Sequence, residues 1–125
     1  MFMTEQVVGA WVDMWNSYDS CQIDKLFLVN DKLTYFSSAK EGIIKGIKAV
    51  HAHHEESGFV PGGKAQENRW WVEDLHASDF GSVIVVTGIW NLRKGSGGTQ
   101  RGPMTFVYVS QGDDYRLAHL HFANY

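Results

Sequence analysis

Residues 69–123 read RWWVEDLHASDFGSVIVVTGIWNLRKGSGGTQRGPMTFVYVSQGDDYRLAHLHFA. Four runs within them, Arg69 to Ser78, Ser82 to Leu92, Met104 to Ser110 and Tyr115 to Ala123, are rich in Val, Ile, Tyr, Phe and Trp. These side chains suit a pleated, half-buried surface. Asp79-Phe80-Gly81, Gly95-Ser96-Gly97-Gly98 and Gln111-Gly112-Asp113-Asp114 separate the runs. Connections so short force antiparallel neighbours, because a parallel crossover needs about a dozen residues or more. The glycine run 95–98 is a hairpin turn rather than a phosphate loop, since it lacks the lysine and the strand-loop-helix context.

Upstream the period changes. Val7, Val8, Trp11, Met14, Trp15 and Tyr18 recur at three- and four-residue spacing, the stripe of a helix that Thr4 would cap. Asn16-Ser17-Tyr18-Asp19-Ser20 ends it, and Asp19 or Ser20 opens a short second helix carrying Ile23, Leu26 and Phe27 inward. Leu33 to Ser38 alternates as a short strand, and a loop with Gly42 and Gly46 leads to a third helix over about residues 47–57, stopped by Gly58. Helices first and hairpin-linked strands after is the α+β pattern. The expected architecture is one domain over residues 1–125: a curved antiparallel sheet on three N-terminal helices, cone-shaped around an apolar pocket.

Composition narrows the function classes. With 125 residues, 44% of them hydrophobic, and five tryptophans, the chain can bury a core. A net charge of −3 lacks the basic footprint of a nucleic-acid binder, so Arg69-Trp70-Trp71 reads as a strand or interface tryptophan pair rather than a stacking platform. No apolar stretch is long enough for a membrane span, and residues 1–6 have no signal-peptide pattern. The single Cys21 suits a reducing cytoplasm, the expected location.

Four local patterns resemble the nuclear-transport-factor-2-like superfamily (SnoaL-like, cystatin-like fold). Trp11 to Asp19 is similar to its W-x-x-G-D first-helix end, and Gly46-Ile47-Lys48-Ala49-Val50 to its G-x-x-A-I third-helix start. Thr87 to Leu92 resembles a G-x-W-x-L strand, and Tyr115 to Phe122 the terminal W-R-I-V-H-x-H strand. That fold hosts isomerases, dehydratases, cyclases, transport adaptors and kinase association domains, so the resemblance implies architecture rather than activity. Against the ketosteroid isomerases, Trp11 stands at the first-helix tyrosine and Phe36 at the aspartate base, which disfavours that mechanism. Against the calcium/calmodulin-dependent kinase association domains, Gly88, Phe106 and Phe122 stand at three pocket arginines.

The residues that could carry chemistry are few. In His51-Ala52-His53-His54-Glu55-Glu56, His51 shares a helix face with His54 or Glu55, the geometry a metal would want, while His53 is expected to point elsewhere. With no H-E-x-x-H and no second cysteine, neither metal nor cofactor is expected. His54 is the candidate acid or base, with an ordinary pKa of about 6.5. Tyr108 is its candidate partner. Gly88 is read as a place where the sheet could bend or a ligand approach. Trp15, Tyr18, Tyr35, Trp90, Phe106 and Phe122 are the expected ligand-binding wall. His119 and His121 share a strand face, opposite Arg116, Ala118, Leu120 and Phe122, and are assigned to the outer side of the sheet as part of a homodimer interface. The functional expectation is a pocket for a small, neutral, apolar molecule, in a cofactor-free isomerase, dehydratase or cyclase. The alternative is a non-catalytic dimeric association module.

Overall fold

A computed structural model describes residues 2–125. Helix α1 spans Thr4–Ser17 and buries Val8, Trp11, Met14 and Trp15. Its N-cap is Met3, with no side-chain cap, so Thr4 is the first helical residue instead of the cap. Tyr18 ends the helix in the left-handed conformation (φ 56°), returning its N–H to the Met14 carbonyl. A non-glycine residue pays for that conformation in steric strain. Asp19 then caps a single 3₁₀ turn, Ser20–Gln22, by accepting from the Cys21 N–H, and α2, Ile23–Leu26, follows. Ile23 and Phe27 are fully buried there.

The chain next forms β1, Thr34–Phe36, β2, Ile44–Lys45, and helix α3, Ile47–Glu56. Four long strands complete it: β3, Arg69–Asp79, β4, Val83–Arg93, β5, Thr99–Gln111, and β6, Asp114–Phe122. The sheet order is β2-β1-β6-β5-β4-β3. The hairpin-linked strands are antiparallel, as their short turns require. β1 instead lies parallel to β6, because it reaches the sheet from the helices and not through a hairpin, so the sheet is mixed. β2 was not foreseen, since a two-residue strand carries no period.

Strand β5 begins five positions before Met104, running through Gly102 and Pro103. Gly102 is needed there: a Cβ would collide with the Ala123 carbonyl of the C-terminal segment. Two register shifts break the alternation. One, opposite Val107 and Tyr108, inserts Ala118 into β6. Leu117 rather than Ala118 is therefore buried together with Leu120 and Phe122, which corrects the simple alternation from Arg116 to Phe122. The other lies between Glu73 and His76, where Asp74 has φ 55°. Leu75 from that bulge and Met104 fill the space over Gly88, so no ligand approaches at this glycine.

Ile84, Val86, Trp90, Leu92, Met104, Phe106 and Tyr108 are buried on the helix-facing side, as the alternation requires. Asn16, at the end of α1, fastens the helix to the free edge of β3. Its Nδ2 donates to the Trp70 carbonyl (3.0 Å) and its Oδ1 accepts the Trp70 N–H (2.8 Å), copying a strand partner.

Candidate functional site

Between the helices and one end of the sheet lies a cavity of about 310 Å³. Its walls are aromatic because the stripe of α1 meets the inward positions of four strands. Trp11, Trp15 and Tyr18 come from α1 and its cap, Tyr35 from β1, Trp70 from β3, Trp90 from β4 and Phe122 from β6. Trp11 stacks on Phe122 (5.3 Å, 19°), and Trp15 meets Trp70 at 4.8 Å. The mouth is polar, with Ser37, Ser38, Ser57, Asn68, Lys94 and Gln100. Trp90 donates its indole N–H to the Ala123 carbonyl (2.9 Å), whereas those of Trp11, Trp15 and Trp70 find no acceptor among the described residues. Buried donors left so cost roughly 1–3 kcal/mol each. Tyr18 accepts from Asn68 Nδ2 (3.1 Å), and its ring stacks on Phe59 with the Lys64 ammonium 5.5 Å from the ring centre.

Five of the six expected wall residues thus meet on one cavity: Trp15, Tyr18, Tyr35, Trp90 and Phe122. Phe106 is fully buried behind it, edge-on to Trp11 (5.1 Å). His54 also stands outside the wall. Its Nδ1–H donates to the Val50 carbonyl (2.7 Å), which fixes the tautomer, since a carbonyl can only accept. Nε2 is left without a partner among Trp15, Phe27 and Phe59. Burial drives its pKa down to about 3, opposed by the Val50 bond. Tyr108 lies farther along β5 against Phe2 (5.0 Å), its hydroxyl without a partner among the described residues and held protonated by burial.

The histidine that reaches the cavity is His53, placed elsewhere by the sequence reading. The buried face of α3 is Val50, His53 and His54, while His51 turns outward to Asp24 (2.7 Å). The three-residue step from Val50 to His53 is the signal that would have found it. Burial, then the nearby Lys40 charge, lowers the His53 pKa against the opposing pull of Glu56, so the ring is neutral near pH 7. Its ring lies 5.2 Å from that of Tyr35, whose hydroxyl burial keeps protonated. Trp70, read from sequence only as a strand or interface tryptophan, was also missed, as was the polar mouth, whose residues come mostly from loops and element ends that carry no periodicity. Among the described residues no three His, Cys, Asp or Glu side chains converge as metal ligands. His119 and His121 lie on the opposite sheet face beside Phe36, with His119 Nδ1 2.7 Å from Thr34 Oγ1.

No protein-family model matches the chain, and no curated protein matches it in sequence. Solved structures do match in shape. An NTF2-like protein of unknown function from Pseudomonas putida superposes with a TM-score of 0.81 at 19% identity, over 95% of this chain and 82% of that one. A dehydratase candidate of the NTF2-like family from Streptomyces avermitilis gives 0.79 at 14%, over 96% and 92%. The CaMKII hub of S. rosetta gives 0.78 at 20%, also over 96% and 92%. The chain has the nuclear-transport-factor-2-like, cystatin-like α+β fold. Proteins of this shape include both enzyme candidates and association domains. No helix is long and apolar enough to cross a membrane among the described residues.

Proposed function

We propose that the chain binds a small, largely apolar, ring-bearing molecule in the aromatic cavity. In this reading His53 and Tyr35 equip the site for proton transfer of the isomerase, dehydratase or cyclase kind. The observation that carries the reading is a roughly 310 Å³ space walled by aromatic rings and rimmed by polar groups, the make-up of small-molecule sites. Neutral His53 is available to accept a proton, and the Tyr35 hydroxyl to donate a hydrogen bond to a developing oxyanion. His54, the acid or base expected from sequence, here packs behind Trp15 of the wall, and Tyr108, its expected partner, lies away from the cavity against Phe2.

Native mass spectrometry of freshly purified protein tests binding. A small-molecule mass carried by the wild type and lost from Ser57→Trp, which sets an indole at the mouth, supports the reading. The same mass on both, or none on either, counts against it.

A second reading concerns the outer sheet face. Val85, Ile89, Val107 and Val109 alternate with buried residues yet stay only half-buried. This strip is proposed as a homodimer interface that includes His119 and His121. Val107→Lys then yields monomers in sedimentation; a dimer that survives the change removes this interface.

A further inference from the structure

We infer that the ligand of the cavity is amphipathic and carries a carboxylate, its rings among the tryptophans and its anionic end at Lys94. The inference rests on the cavity being a binding site and adds the class of molecule that enters it.

The charges on the wall are one-sided. Lys94, at the exposed start of the β4–β5 turn, is the one lysine or arginine among the residues that line the cavity, and none of those residues is Asp or Glu. Lys94 enters no ion pair among the described residues, unlike Lys40, which pairs with Glu56, and Arg101, which pairs with Glu73. Glu67 reaches the same turn at Gly95, so the field at the mouth is tempered. Gln100, Ser37 and Ser38 line the same cavity and can offer hydrogen bonds. They complete what a carboxylate requires, a charge and several donors.

The depth of the cavity points the same way. Its inner wall has no cation, with Phe106 and Phe122 near the floor, so a buried anion there would be unpaired and costly. An anionic group must therefore stay at the rim, where water and Lys94 share it.

The test is calorimetric titration of the wild type and Lys94→Gln with 2-naphthoate and with its neutral isostere 2-naphthamide. Lys94 is exposed, so the substitution leaves the core intact. The expected result is that the wild type prefers the acid by about five- to tenfold, that added salt erodes this preference, and that Lys94→Gln reduces it to about twofold or less. Equal affinity for acid and amide overturns the inference while leaving the cavity a binding site. So does a preference for the acid that Lys94→Gln does not change. Binding of neither probe, with the cavity closed to both, overturns this inference together with the reading it rests on.

Discussion

The two faces of one sheet follow opposite rules. On the inner face Trp90, Phe106, Tyr108, Leu120 and Phe122 are buried against α1 and α3. On the outer face Thr87, Thr105, Val107 and His119 come from the same strands and stay half-buried or exposed. Strand geometry alone divides them, since successive side chains point to opposite sides. The inner face, moreover, is not filled from end to end. At the Tyr108 end Phe2 closes the packing, while at the Trp90 end the rings stand around a cavity. The contrast teaches that burial dictates residue type across the whole inner face, but that function occupies only the part where packing stops.

The contrast breaks first if inner and outer residues prove equally dispensable. Trp11→Ala removes a ring packed on Trp15, Trp70, Phe106 and Phe122. It should cost about 3–5 kcal/mol in urea unfolding, against about 1 kcal/mol or less for Val107→Ala in the monomer. Comparable losses would show that the outer face is as tightly packed as the inner one.

Acid should expose the inner face next. The His54 pKa is about 3 in the folded chain and about 6.5 unfolded, so the unfolded state takes up the proton first. Stability from this group is fully present above about pH 6.5 and falls toward pH 3, by an upper bound of roughly 5 kcal/mol. His54→Gln should flatten that slope in unfolding curves taken across the window. His119, half-buried on the outer face, should move it far less, so an unchanged slope in His54→Gln would place the acid-sensitive group elsewhere.

The smallest effect concerns the strand edge beside the cavity. Asn16→Ala removes both bonds to Trp70, and should destabilise by about 1–2 kcal/mol. Hydrogen exchange should quicken at Trp70 but not in the middle of β4. Uniform quickening would mean that the clamp supports the whole fold rather than this edge.

Much of this was legible before any coordinates. Val8, Trp11 and Trp15 declared a helix stripe, and the glycine turns between the strand runs declared hairpins, because both signals are local and periodic. The same alternation assigned Trp90 and Phe122 to the inner face, and the first-helix stripe supplied Trp15 and Tyr18. It failed at Ala118, where one inserted residue reverses the parity upstream. It failed again on α3, where neighbouring histidines differ by about 100° around the axis and a small error in the buried arc exchanges His53 for His54.

The sequence by itself determined the elements, the antiparallel order of the last four strands and the aromatic character of the interior. Each depends on residue spacing and on turns too short to allow another path. Only the tertiary structure decided that β1 joins the sheet parallel to β6, that His53 and Tyr35 stand together, and that Lys94 reaches the mouth. Those facts depend on how far each element is rotated and shifted against the others. That is settled by the packing of the whole core, and no local run of residues encodes it.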